Sequence, residues 1–252
     1  MKKPFIVFLS IFVLASTFLF SAEAIARRYT TNFPVTENPI SEKGNWINGG
    51  TVGLDWYNVQ TNGRMAFGTN NQGSYTDPTA VLAGTWGPDQ TAQASVSTVS
   101  QTNSLYQEVE LRLRTTITAH SITGYEVNFR CLPGTDSNRY VQIVRWNGPV
   151  GNWTEINGTL GPGLKTGDVV KATIIGSTIT AYVNGIQVLQ ATDKTYASGS
   201  PGIGFNYGCN GTYGNFGFTS FTASDGTASS SVPNSPTSLV ISVQGIKPEG
   251  TL

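Results

Sequence analysis

Apolar and polar residues alternate with a period of two along three successive runs of the chain. Residues 106–114 (YQEVELRLR) put Val109, Leu111 and Leu113 on one side and Glu108, Glu110, Arg112 and Arg114 on the other. Residues 125–131 (YEVNFRC) set Tyr125, Val127, Phe129 and Cys131 against Glu126, Asn128 and Arg130. Residues 140–146 (YVQIVRW) set Val141 and Ile143 against Tyr140, Gln142, Val144 and Trp146. Such a period belongs to strands with two unlike faces, so these runs predict an antiparallel meander with one face in the core and one in water. Next comes a more sharply punctuated block. Residues 169–175 end at Gly176-Ser177, residues 178–183 follow at once, and Asn184-Gly185 opens a run over 186–191. Gly-Ser suits a type II′ turn and Asn-Gly a type I′ turn, so two consecutive tight hairpins are predicted. Further strands are expected over 203–207 and 216–223, with earlier ones around 46–56, 65–67, 81–82 and 92–99. Nothing after residue 26 keeps apolar residues at helical spacing for three turns. The pattern is that of a single all-β domain, a two-sheet antiparallel jelly-roll sandwich.

The two ends of the chain read differently. Lys2 and Lys3 precede an apolar stretch from Phe5 to Phe20, followed by the small-residue patterns Ala22-Glu23-Ala24 and Ala24-Ile25-Ala26. That is the anatomy of a secretory signal peptide over residues 1–26, with the sandwich over 27–225. The protein is therefore expected to be secreted, extracellular or at the cell surface, with no membrane insertion after cleavage. Residues 226–252 open with a segment rich in Ser, Pro, Asn and Thr, which reads as a linker and C-terminal tail.

Charge and composition then narrow the chemistry. The 252 residues carry 15 Lys and Arg against 15 Asp and Glu, so no basic patch marks a nucleic-acid partner. A single histidine, His120, excludes a multi-histidine metal site. No Gly-x-Ser-x-Gly elbow and no phosphate-cradling glycine loop before a helix is present. In an oxidising compartment Cys131 and Cys209 are expected either to form one disulfide or to remain two small buried thiols. Glycosylation triplets begin at Asn152, Asn157 and Asn210.

The order of the pieces carries a resemblance. A Tyr- and Phe-rich meander leads to Gly167-Asp168, then VVKATIIGSTITAYVNG, the glycine-rich SGSPGIGF, and a last strand FGFTSFTASD. Over residues 32–225 this resembles the concanavalin A-like lectin/glucanase superfamily, in particular its laminin-G-like jelly-roll modules. The resemblance implies two curved sheets of six or seven strands, a concave face that often binds glycans, and in some members a structural calcium.

Sugars present flat C–H faces rimmed by hydroxyls, so their sites combine aromatic plates with planar polar side chains. Alternation places such a set off the core. Tyr140, Trp146 and Tyr182 are expected to stack, and Glu126, Asn128, Arg130 and Gln142 to hydrogen-bond, with a polysaccharide or other glycan as partner. Glu108 and Glu110, on one face of one strand, are the candidate carboxylate pair of a glycoside hydrolase. The laminarinase-like enzymes of the superfamily carry E-x-D-x-E, whereas this run is E-V-E-L-R with Arg112 in the third acidic position. No cofactor is required by any motif. Calcium is the one metal the oxygen-rich ends of the sheets suit, with Asp225, Asn45, Asn48 and Gly50 as ligands where the terminal strands meet. Three functions thus stand open: a carbohydrate-binding or adhesive module, a hydrolase, and a non-catalytic protein-interaction module.

Overall fold

The computed structural model describes residues 26–69, 77–99, 101, 106–207 and 213–226. These form sixteen strands: β1 (Arg28–Thr31), β2 (Thr36–Glu37), β3 (Trp46–Asn48), β4 (Val59–Asn62), β5 (Ala66–Gly68), β6 (Thr79–Leu82), β7 (Gln90–Thr98) and β8 (Gln107–Thr118), followed by β9 (Ser121–Arg130), β10 (Val141–Gly148), β11 (Trp153–Thr159), β12 (Val169–Ile175), β13 (Thr178–Val183), β14 (Ile186–Thr192), β15 (Ser200–Tyr207) and β16 (Phe216–Asp225). One sheet of nine strands runs β14-β13-β12-β7-β16-β5-β4-β2, with β1 also paired to β16. The other, of seven, runs β11-β10-β9-β8-β15-β6-β3. No helix among the described residues is long and apolar enough to cross a membrane.

The hairpin block forms as its turn residues require. Gly176 has φ 57°, and Asn184 and Gly185 have φ 50° and 79°, the positive values that II′ and I′ turns demand. The result is β12, β13 and β14 in consecutive antiparallel pairing. The meander forms β8, β9 and β10, longer than alternation alone marks out, because β8 and β9 continue to a tight turn at Ala119-His120. The region around residues 46–56 is mostly not strand: β3 has three residues and gives way to a 3-10 turn over Gly50–Val52. β1, β2, β4 and β11 were not marked by any alternating pattern.

The core lies between the sheets. Val109, Leu111, Leu113, Val127, Phe129, Ile143 and Phe205 face Ala94, Val96, Val170, Ile174, Phe216, Phe218 and Phe221, all buried. A second, smaller cluster sits on the opposite face of the seven-stranded sheet. Leu54 and Trp56, from the segment after the 3-10 turn, pack there on Val81, Ile117, Ile122, Val144 and Trp146. The β8–β9 turn holds that segment down, since the His120 N–H donates to Gly53 O at 3.0 Å and its Nδ1 lies 2.8 Å from Asp55 Oδ1. The meander's second face, expected in water, is therefore largely roofed.

Two other expectations meet the fold here. Asp225, the expected calcium ligand, serves here as a fastening: its Oδ1 accepts the Arg27 N–H at 2.5 Å and its Oδ2 the Gly87 N–H at 2.7 Å, tying the chain before β1 to the end of β16. Asn48 is buried with its amide bonded to Ile40 O and the Val59 N–H, and the Asn45 amide donates to Glu42 O. Cys131 is a buried thiol, pushed up to about 12 chiefly by burial and then by the charge of Glu108. Cys209, the other half of the expected disulfide, lies outside the described residues, as do the signal segment and the tail.

Candidate functional site

The register of the seven-stranded sheet writes a lattice of side chains on its outer face. Asn206, Glu108 and Arg130 make one row, Gly204, Glu110 and Asn128 the next, extended by Gln142, and Gly202, Arg112 and Glu126 the third, extended by Val144. Trp146, paired with Trp153, ends the lattice beside the small apolar cluster. Rows are about 6.5–7 Å apart, two residues along a strand. Alternation located these positions correctly on one face, but not their burial. Glu110 and Arg112 have no exposed surface, and Glu108, Glu126 and Arg130 retain 2% each.

Arg112 is the hub. Its Nη2 donates to Glu110 Oε2 and, at 2.9 Å, to Thr79 Oγ1, while Nη1 donates to Glu126 Oε2. Its guanidinium carbon lies 5.1 Å from the centre of the Trp56 ring, which roofs it. The Trp146 Nε1–H adds a second donor to Glu126 Oε2 at 2.7 Å, and Trp146 meets Trp56 edge-on at 4.5 Å. At the other end the Tyr140 hydroxyl donates to Glu108 Oε2 and lies 2.6 Å from the Tyr106 hydroxyl, and the Arg130 guanidinium stacks 3.5 Å above the Tyr106 ring. The strand β15 makes room for this network by carrying glycine. A Cβ on Gly204 would fall on the Glu110 carboxylate and within 2.6 Å of Arg112 Nη2. Gly204→Ala is accordingly expected to cost about 1–3 kcal/mol, read as a lowered urea midpoint with unchanged slope.

The face is rich in carboxyl groups. Asp77, ahead of β6, joins Glu108, Glu110 and Glu126, so four carboxyl groups meet the two guanidiniums of Arg112 and Arg130. Burial is the largest reason that Asp77 and Glu110 are held well above the usual carboxylate range, with Glu126 adding to it and Arg112 opposing it. Burial likewise lifts Glu108 to about 7, against the pull of the Tyr140 hydrogen bond. Burial and the Glu108 charge push Tyr106 up to about 12, and the same two causes raise Tyr140.

Two connected hollows open over this network. A cleft of about 200 Å³ is lined by Asp77, Glu108, Glu126, Asn128, Trp146, Trp153 and Asn206, together with Tyr106, Tyr140 and Gln142. The last three also line a shallower trough of about 560 Å³ that runs on past Arg139, Glu155 and Leu160. Most of the expected set converges here: Glu126, Asn128, Tyr140, Gln142 and Trp146 line the cleft, and Arg130 lines the trough. Tyr182 does not join them. It lies on β13 in the nine-stranded sheet, where Lys171 Nζ sits 4.0 Å above its ring across the β12–β13 pair. The hairpins extend one sheet and the meander builds the other, so their polar faces are never shared. Trp146 is not an exposed plate, being 2% exposed and bonded to Glu126. Glu110 lies beneath the cleft floor, outside its lining, so Glu108 and Glu110 do not form an accessible pair.

Several site residues escaped the sequence reading. Asp77 and Thr79 lie in a region with no pattern to mark them. Trp153 sits on an edge strand, five of whose seven positions are exposed. Gly202 and Gly204 did carry a signal, since alternating glycines inside a strand mark a close approach by another group.

No protein-family model matches the sequence, and a search of curated proteins found no match. Solved structures do match. The carbohydrate recognition domain of Emp46p, in its metal-free form, aligns with a TM-score of 0.53 at 12% identity, over 79% of this chain and 97% of that one. β-Agarase A in complex with oligoagarose aligns with a TM-score of 0.51 at 10% identity, over 79% and 92% of the two chains. The carbohydrate-binding module CBM66 from Bacillus subtilis aligns at 16% identity over 74% and 95%, with a TM-score of 0.47. The chain thus shares the fold of the Emp46p domain and β-agarase A, a two-sheet antiparallel jelly-roll sandwich, as the order of strand motifs implied.

Proposed function

We propose that this chain is a non-catalytic carbohydrate-binding module acting outside the cell, and that the cleft and trough on the outer face of the seven-stranded sheet hold its glycan. The observation that carries the reading is the groove itself: Tyr106, Tyr140 and Trp153 retain partial exposure beside Gln142, Asn128 and Asn206, giving ring faces and amide groups along one hollow. Buried ion networks are weak contributors to stability, and an apolar face would serve a sandwich as well or better. A charged row kept under a groove is better explained by a polar ligand that needs fixed donors and acceptors. The Emp46p carbohydrate recognition domain and the oligoagarose complex of β-agarase A, which share the fold, support this reading. Its non-catalytic part is supported by Arg112, which replaces the third acid and engages both Glu110 and Glu126. The signal-like segment over residues 1–26 supports an extracellular site of action.

The test is a glycan array with the full chain, followed by calorimetry on the best oligosaccharide, agaro-oligosaccharides included. Tyr140→Ala is expected to weaken binding at least tenfold, about 1.4 kcal/mol, while Tyr182→Ala leaves it unchanged. Binding that survives Tyr140→Ala and is lost in Tyr182→Ala would move the site to the other sheet. Release of new reducing ends from the bound oligosaccharide would replace the non-catalytic reading by hydrolysis.

A further inference from the structure

The chain is tied into the sandwich at Arg27. This is the first described residue whose backbone is bonded on both sides: its N–H donates to Asp225 Oδ1 at 2.5 Å, and its C=O accepts the Asp225 N–H at 3.0 Å. The side chain is seated as firmly. Nη1 and Nη2 donate to the carbonyls of Thr85 and Ala83 at 3.0 and 2.8 Å, and the guanidinium carbon lies 4.3 Å from the centre of the Trp86 ring. Gly84 leaves the room for it, since a Cβ there would stand 2.6 Å from Arg27 Nη1. Asp225 Oδ2 closes the socket by accepting the Gly87 N–H at 2.7 Å. Ala26, one residue earlier, is exposed, and residues 1–25 lie outside the described residues.

Asp225 has no counter-charge in this socket. Its two oxygens meet two neutral N–H groups, while the Arg27 guanidinium is committed to carbonyls and a ring. Among the described residues no Lys, Arg or His side chain forms an ion pair with it. The donor to Oδ1 is the backbone nitrogen of the residue that follows Ala24-Ile25-Ala26, the second small-residue pattern of the signal-like segment.

We propose that the Ala26–Arg27 bond is the processing site of this chain, and that the cut supplies Asp225 with its cation. An export peptidase spends one water on the amide bond: the C–N bond breaks, Ala26 keeps the acyl carbon as a carboxylate, and the Arg27 nitrogen leaves as an amine. An α-amino group ordinarily titrates at about 7.7–8.0, so at neutral pH it takes up a proton. The ammonium then occupies the place the amide nitrogen already holds beside Oδ1. A charge-assisted hydrogen bond is roughly twice as strong as a neutral one, and this one joins the start of β1 to the end of β16. Cutting after Ala24 instead would set the ammonium two residues away, roughly 6.5–7 Å along an extended chain, and leave a neutral amide at Asp225. The socket thus distinguishes two cleavage patterns that look alike in the sequence, and the sandwich gains its last fastening only once the leader is gone. The processing site stands whether or not the cleft binds glycan.

The test begins with residues 1–252 expressed in a secretion host, the exported protein being sequenced from its N-terminus and weighed intact. Arg27 is the expected first residue; Ile25 in first place, or an uncut leader, overturns the site. The ion pair is then read from purified chains that start at Arg27 or at Ile25, each with Asp225 or with Asp225→Asn. With Asp225 in place, the Arg27 start is expected to unfold roughly 2–4 °C higher at pH 7. That advantage should vanish in the Asp225→Asn pair, and an advantage that persists there overturns the pairing. A measurement on the Asp225 chains alone covers a variant that does not fold: about 1 M sodium chloride should shrink the advantage by screening. Equal midpoints for the two starts, or a difference that salt leaves intact, overturn the ion pair as well.

Discussion

Arg112→Met is expected to lower stability by about 3–5 kcal/mol at pH 7, the typical loss when one member of a buried ion pair is removed. Methionine fills the space beneath Trp56 but supplies no donor, so Glu110 and Glu126 lose the group that bonds their Oε2 atoms and Thr79 Oγ1 loses its donor as well. The deficit should shrink in acid, where the stranded Glu110 carboxyl, already held above the usual range, keeps its proton in both folded and unfolded chains. Replacing all three together, as E110Q/R112M/E126Q, should recover much of the loss, because deleting a whole network removes desolvation cost along with attraction. Urea unfolding of the two variants at pH 5 and pH 7, in EDTA, checks both parts. A single variant as stable as the parent at pH 7 would mean that Arg112 holds nothing in place.

That network marks where sequence reasoning stops. Alternation set Glu108, Glu110 and Arg112 on the face opposite Val109, Leu111 and Leu113, and the register confirms it, because in a strand a side chain's face depends only on its parity. The turn pairs Gly176-Ser177 and Asn184-Gly185 delivered their hairpins for a similarly local reason: only certain residues tolerate positive φ. What parity cannot tell is whether a face meets water or another part of the chain. Leu54 and Trp56 lie more than fifty residues before the arginine they roof, and nothing in YQEVELRLR announces them. Nor does parity say which sheet a strand joins. Tyr182 satisfied every local criterion for a partner of Tyr140, yet the β12–β13 pair is hydrogen-bonded to β7 in the other sheet. The candidate site was half legible: alternation put the meander residues on one face, whereas their burial, that of Trp146 included, and the residues contributed by distant segments, Asp77, Trp153 and Asn206, depended on contacts made across the fold.

Stability should also fall as pH rises through the range where Glu108 titrates. Its carboxyl shifts from an ordinary value of 4.5 to about 7 in the folded chain, mainly through burial. Between these values the folded state keeps a proton that the unfolded state has lost. The stabilisation is complete below about 4.5 and is gone above about 7, and the displacement corresponds to about 3 kcal/mol. Asp77 and Glu110 are shifted in the same direction and steepen the trend. Glu108→Gln isolates one contribution, since glutamine still accepts the Tyr140 hydrogen bond but cannot ionise. In EDTA the variant should change less with pH than the parent, and the stability difference between them should move by about 3 kcal/mol from pH 4.5 to pH 8 in the variant's favour. A difference that stays flat would show that the cleft does not hold the proton. The same proton bears on recognition: a neutral Glu108 presents the cleft with a donor as well as an acceptor, matching sugar hydroxyls that are both. Glycan affinity in the parent should accordingly weaken above pH 7 while that of Glu108→Gln does not, a contrast that calorimetry at pH 6 and pH 8 can measure directly.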